Sequence, residues 1–265
     1  LPADSYRLES LGPPTKVDLH LLCVHGLNQN PKALKTLLEA YQEKGIHCHL
    51  LHLPDHYSPD ETRLPHSCES SSILSAYEES FRTVRQWADE AGTSMGVLGF
   101  SYGGLIATSQ LATLRPEKLI LLAPALRLRF YTSGVKLLSQ VFDKVKSAPI
   151  GSPEVEAHYR YYQKGVPGSV YKSFFEILEN FYQETETDYS GITGGVFIQP
   201  GDELVSYKKL RAWVREHTTW PFYTLKSKNA EMSRYRHLIL DPKTLGEERF
   251  RFLVKESLGL LKSEG

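Results

Sequence analysis

A serine stands between glycines where an apolar strand runs directly into a helical pattern, and this junction constrains the fold more than any other feature of the chain. The segment is Gly99-Phe100-Ser101-Tyr102-Gly103-Gly104. Met95-Gly96-Val97-Leu98 leads in as a strand, and Leu105-Ile106-Ala107-Thr108-Ser109-Gln110-Leu111-Ala112 leads out as a helix. A serine on so tight a turn lies close to its neighbouring backbone, and glycine at 99 and 103 removes the Cβ atoms that would clash there. Ser101 then projects its hydroxyl above a sheet, as the G-x-S-x-G arrangement requires. Alone, the pattern also fits an ordinary Gly/Ser turn, so its meaning rests on what else the chain carries.

The other parts of a nucleophilic machine follow in the order serine, acid, histidine. The strand Gly195-Val196-Phe197-Ile198-Gln199 runs into Pro200-Gly201-Asp202-Glu203, which sets Asp202 on a turn past a strand end. Pro221-Phe222-Tyr223-Thr224-Leu225 reads as a further strand, and His237 lies in the loop beyond it. Glu203 is the rival acid, with Asp188 and Asp241 behind it because neither follows a strand end at the right point. His217 rivals His237 on order alone, but it falls in a helical pattern and is expected to face solvent. Upstream, Leu19-His20-Leu21-Leu22-Cys23-Val24 is an almost wholly apolar strand ending in His25-Gly26-Leu27-Asn28. Gly26 lets the backbone turn so that the N–H of Leu27, with that of Tyr102, faces an oxyanion formed at Ser101. Losing one such donor typically costs about 10²–10³ in rate. His25 is expected to brace this loop rather than to act as the base.

Taken together, His25-Gly26-Leu27, the Gly99–Gly104 elbow, Gly201-Asp202-Glu203-Leu204-Val205, His237-Leu238-Ile239-Leu240-Asp241 and the step Leu121-Leu122-Ala123-Pro124 resemble the α/β-hydrolases. More narrowly, the chain resembles the small bacterial carboxylesterases and monoacylglycerol lipases over nearly its whole length. The resemblance implies an α/β fold, with a mostly parallel central sheet covered by helices on both faces and a small helical cap insertion. It implies a serine hydrolase that cleaves carboxylic esters, short-to-medium acyl esters or monoacylglycerols, through an acyl-enzyme. Ser101 is then the nucleophile, His237 the base and Asp202 its orienting acid, with Gly26 at the substrate and no cofactor. Two departures stand out. Relatives often carry Gly-His-Gly where this chain has Pro54-Asp55-His56-Tyr57, and the stretch from Ser227 to Tyr235 is longer than the usual approach to the histidine. A peptidase, amidase or thioesterase uses the same triad, and a non-catalytic binding protein shares the fold when triad members are lost.

Strand and helix patterns alternate along the chain, which argues for a parallel sheet covered on both faces. Helices are expected over 31–44, 71–91, 169–184 and 246–262, and strands over 46–53 and 118–122. Between 125 and 191 the alternation fails, so we expect core over 1–124, a cap over 125–191 and core again over 192–265. This quarter of the chain holds 12 of the 29 aromatics, among them Phe130, Tyr131, Phe142, Tyr161, Tyr162, Phe174 and Phe175. Such side chains bury about 150–250 Å² each. Some therefore hold the cap on the core, while Phe174 or Phe175 is expected to line an apolar channel for the acyl group.

Lysine plus arginine and aspartate plus glutamate balance at 31 each, which gives no electrostatic reason to expect nucleic acid or an anionic membrane as partner. A small-molecule ester is the expected partner. The three cysteines do not form a disulfide framework, and Cys23 reads as a small buried hydrophobe. No apolar run reaches the ~18 residues of a membrane span, and no basic-then-apolar leader is visible, so a cytoplasmic location is expected. The chain begins at Leu1, which leaves a removed leader open. His47, Cys48, His49, His52 and His56 look like a metal cluster, but a strand divides its side chains between two faces and no Cys-x-x-Cys accompanies them. No metal is expected.

Overall fold

The apolar runs of the sequence become strands of one sheet. A computed structural model describes residues 6–54, 69–129, 146–147, 159–160, 166–184, 187–226 and 235–263. The strands are β1 (Arg7–Ser10), β2 (Leu19–Val24), β3 (Ile46–His52), β4 (Ser94–Phe100), β5 (Lys118–Leu122), β6 (Lys146–Ser147), β7 (Val166–Pro167), β8 (Thr193–Ile198) and β9 (Phe222–Thr224). Seven of them form a sheet in the order β1-β3-β2-β4-β5-β8-β9, while β6 and β7 pair only with each other. Every pairing in the large sheet is parallel except that of β1 with β3.

The helices are α1 (Lys35–Gln42), α2 (Ser70–Ala91), α3 (Tyr102–Ser109), α4 (Gly168–Gln183), α5 (Tyr207–His217), α6 (Pro242–Leu245) and α7 (Glu247–Lys262). They cover both faces. On β3, the Cys48 thiol lies against the Leu38 carbonyl of α1, whereas the next residue, His49, packs its ring 4.9 Å from Trp87 of α2. Successive strand residues point to opposite faces, so α1 and α2 sit on opposite sides. This double cover explains why β2 and β5 are buried at every position and read as apolar runs interrupted only by His20 and Lys118. Among the described residues Cys23 and Cys48 are free and buried. No described helix is long and apolar enough to cross a membrane.

Two local features differ from expectation. The helix expected over 31–44 opens as a 3₁₀ turn at Pro31–Leu34, where the Asn30 side chain accepts the Lys32 N–H, before α1 begins. The polar edge strand β1 was not expected. Four half-exposed residues carry no hydrophobic period, and only the antiparallel ladder to β3 defines them.

β5 and β8 pair directly, so residues 123–192 leave and re-enter the sheet between neighbours. The cap was expected over 125–191, of which only part is described. Its clearest element is α4, whose buried face includes Val170, Tyr171, Phe174, Phe175, Ile177 and Leu178 and packs on α3 and α2. Phe130, Tyr131, Phe142, Tyr161 and Tyr162 lie outside the described residues, as do Asp55, His56, Tyr57 and 227–234.

Candidate active site

The candidate triad and oxyanion-loop residues follow the carboxyl ends of strands in the sheet, whereas Phe174 and Phe175 lie on α4. β4 runs into Ser101, β2 into His25-Gly26-Leu27, β8 toward Asp202 and β9 toward His237. Ser101 holds φ +50° and ψ −108°, in the half of conformational space that L-residues avoid. Such a conformation costs on the order of 1–3 kcal/mol and persists only where its surroundings over-determine it. Here the Ser101 N–H donates to the Leu122 carbonyl at 2.9 Å, and the Ser101 carbonyl accepts the N–H of Ala125 at 2.9 Å. The glycines permit the approach. A Cβ on Gly99 would lie 2.6 Å from the Gly104 Cα, and one on Gly103 would lie 2.1 Å from the Val24 carbonyl oxygen.

The imidazole of His237 lies between Ser101 and Asp202. Its Nε2 is 2.8 Å from Ser101 Oγ, and its Nδ1 is 2.8 Å from Asp202 Oδ2. A carboxylate only accepts, so Nδ1 carries the proton and Nε2 is left to accept the serine hydroxyl. Asp202 is fully buried, and its other oxygen accepts the N–H groups of Leu204 at 2.9 Å and Val205 at 2.7 Å. Burial works against a charged His237, but the Asp202 carboxylate prevails and holds the imidazole above its ordinary range. The two loops also interlock. The Arg236 side chain crosses Gly201 so closely that a Cβ there would meet its guanidinium at 2.2 Å.

The loop after β2 approaches Ser101 through Gly26, where an added Cβ would lie 2.9 Å from the Phe100 ring and 3.2 Å from Ser101 Cβ. Leu27 follows at once. The turn is held by Gln29, whose side-chain oxygen accepts the Gly26 N–H at 2.6 Å, and by Asn28 at φ +52°. His25 braces it from beneath: Nδ1 is 2.8 Å from the Gly26 carbonyl, and Nε2 accepts the Leu53 N–H at 3.2 Å. Tyr102 opens α3, so its N–H stands at the positive end of that helix.

The rival residues have other places. Glu203 lies beside His237, and burial pushes its carboxyl up, but Asp202 holds the hydrogen bond to the imidazole. His217 is exposed at the end of α5, stacked on Trp213 with Nδ1 2.9 Å from that residue's carbonyl. Asp188 accepts from Ser190 in an exposed turn. Asp241 caps α6 through the Thr244 N–H and accepts the Tyr159 hydroxyl at 2.6 Å.

Sequence reasoning missed two supports. Gln29 carried no motif signal, and Tyr159-Arg160 are stitched to the same turn by the Asn30 N–H to the Tyr159 carbonyl and by the Gln29–Arg160 bridge. Phe174 of α4 meets Tyr102 edge-on with ring centres 5.2 Å apart, and Phe175 lies behind it, 5.0 Å from Phe174.

Comparison with known proteins bears on the fold. Residues 55–170 match the family described as Serine hydrolase (FSH1). A Caenorhabditis elegans protein named as an esterase is 28% identical, over 48% of this chain and 64% of that relative. Among solved structures, a Saccharomyces cerevisiae monoglyceride lipase matches 98% of this chain and 92% of its own, with TM-score 0.71 and 14% identity. A Paleococcus ferrophilus monoacylglycerol lipase matches 96% and 99%, with TM-score 0.66 and 17% identity. At such identities the likeness establishes the fold, which is that of the α/β-hydrolases.

Proposed function

On the premise of the α/β-hydrolase fold, we propose that this chain is a serine esterase cleaving carboxylic esters through an acyl-enzyme. The observation that carries the reading is the His237 imidazole held between Ser101 Oγ and the buried Asp202 carboxylate, at 2.8 Å on each side. Ser101 Oγ attacks the ester carbonyl as His237 Nε2 takes its proton, and Asp202 stabilises the imidazolium. The N–H groups of Leu27 and Tyr102 receive the oxyanion. His237 then passes its proton to the departing alcohol, and water, activated by the same imidazole, releases the acid.

In this reading residues 1–124 and 192–265 form the catalytic core and 125–191 the cap. Phe174 sets the wall of the acyl site, because it touches the residue that follows the nucleophile, while Phe175 stands one ring further back. A pocket walled by such bulky rings favours short-to-medium acyl esters or monoacylglycerols. A panel of p-nitrophenyl esters, monoacylglycerols, acyl-CoA thioesters and aminoacyl amides tests the class. Esters are expected to turn over fastest, and a thioester or amide preferred by kcat/KM contradicts the assignment.

A further inference from the structure

Three histidines converge at the other end of the sheet. β2 and β3 run parallel with His20 opposite His47 and Leu22 opposite His49. Residues 47 and 49 share one face of β3 by strand alternation, and the register brings His20 to that same face. Cys48 lies on the reverse side, and His52, three residues beyond His49, is paired there with Glu9 at 2.8 Å. The strand does divide the histidine-rich run as expected from sequence, but a neighbouring strand supplies the missing third member.

The rings form a tight group. One ring nitrogen from each of His20, His47 and His49 lies within 4.8 Å of the other two. His20 Nδ1 and His49 Nε2 are 2.9 Å apart, and the two rings lie edge to edge with their planes only 8° apart. We propose that His20, His47 and His49 bind one divalent transition-metal ion of the zinc class, a site separate from the esterase machinery. The expectation that no metal is bound is thereby set aside.

The outer contacts favour ligation. His47 Nε2 is 3.0 Å from the Leu11 carbonyl, an acceptor only, so this nitrogen carries the proton and Nδ1 keeps a lone pair. His49 Nδ1 is 2.8 Å from Ser10 Oγ, which orients the ring with Nε2 toward His20. Metal-bound histidines commonly use their second nitrogen in this way. With zinc–nitrogen distances near 2.0–2.1 Å, tetrahedral ligand atoms lie about 3.3 Å apart, so modest ring rotations complete the geometry. The proton now shared between His20 and His49 moves to the other nitrogen of its own ring, and no other group changes charge. Burial lowers all three imidazoles from their ordinary range, His49 to about 3.

The surroundings suit a cation with open positions. The imidazoles face a hollow of about 470 Å³ that is also lined by Ser10, Trp87 and Glu90. The carboxyl-terminal turn of α2 closes one side, ending at Ala91, and the negative end of a helix dipole favours positive charge. Glu90 is exposed on the same rim, where its carboxylate accepts the Gln86 amide at 2.7 Å, so solvent supplies the fourth position. The site lies about 16 Å from His25 along β2, at a strand rise of ~3.3 Å per residue. Its role is accordingly structural, joining β1, β2 and β3 beneath α2.

Metal titration of the 265-residue chain, first stripped with chelator, tests this. Zinc is expected to bind at one equivalent and raise Tm by about 5 °C or more at saturation. Cobalt(II) is expected to titrate to the same single equivalent with visible bands of imidazole coordination. His20→Gln and His49→Gln should abolish both signals while leaving labelling of Ser101 unchanged, and His217→Ala should retain both. The cobalt spectrum of the parent needs no variant to fold. The proposal is overturned by no saturable equivalent below about 100 μM, by a cobalt spectrum without imidazole bands, or by equal binding in the His20 and His49 variants.

Discussion

Asp202 reaches His237 with one carboxylate oxygen, 2.8 Å from Nδ1, and spends the other on the N–H groups of Leu204 and Val205. The backbone therefore fixes which oxygen faces the imidazole, and the carboxylate fixes which imidazole nitrogen is protonated.

Asp202→Asn tests that division of labour. The amide oxygen can keep the Leu204 and Val205 contacts, which turns the amide N–H toward Nδ1 and forces the proton to Nε2. Turnover of a p-nitrophenyl ester is expected to fall by about 10³–10⁴ with the fold retained, the scale seen when a triad aspartate is neutralised in this way. Activity close to that of the parent would show that Asp202 does not set the tautomer.

The pH profile follows from the same pair. Only neutral His237 accepts the serine proton, so kcat/KM should rise with pH, with its midpoint above the ordinary ~6.5 because Asp202 holds the imidazole up. In Asp202→Asn the midpoint should drop, since burial is then opposed only by the neighbouring Glu203 carboxylate. Stability runs the opposite way. The His237–Asp202 attraction contributes fully below the unfolded value near ~6.5 and is lost as pH rises through the higher folded value. Melting of the parent against His237→Gln at about pH 6 and pH 9 should show the gap narrow at the higher pH.

Glycine substitutions separate the elbow from ordinary surface. Gly103→Ala places a Cβ 2.1 Å from the Val24 carbonyl, a backbone atom that cannot step aside. It should cost more than about 4 kcal/mol and remove most soluble protein. Gly259→Ala, at an exposed position of α7 with nothing within 4 Å, should instead stabilise by about 0.5–1 kcal/mol. Thermal melts of both variants check the contrast.

Phe174 and Phe175 should differ. Each buried methylene of an acyl chain contributes at most about 0.8 kcal/mol, nearly fourfold in kcat/KM, until the pocket is full. Phe174→Ala, beside Tyr102, should move the optimum to longer chains, whereas Phe175→Ala should lower Tm and leave the optimum in place. An optimum unmoved by either change, with equal rates along the series, would falsify the acyl-channel reading.

The approach of Ser101, His237 and Asp202 to one another was legible because its signals are local. Ser101 needs glycines at fixed offsets, and Asp202 and His237 each follow a recognisable strand. The supports were hidden because they depend on contacts distant in sequence. Gln29 acts through a Gly26 N–H that only the folded turn presents. Tyr159 lies 82 residues from the Asp241 it bonds. His20 joins His47 and His49 only through the β2–β3 register, and a reading of β3 alone discards the group. β1 has no hydrophobic period, so only its partner reveals it.

Covalent capture by a fluorophosphonate, followed by intact and peptide mass measurement, tests the central claim most directly. The account predicts one adduct per chain, carried by the peptide containing Ser101. The adduct should be absent in Ser101→Ala and slowed by several orders of magnitude in His237→Ala, with His217→Ala labelling like the parent. An adduct on another residue, or ester turnover by Ser101→Ala within about tenfold of the parent, would contradict it.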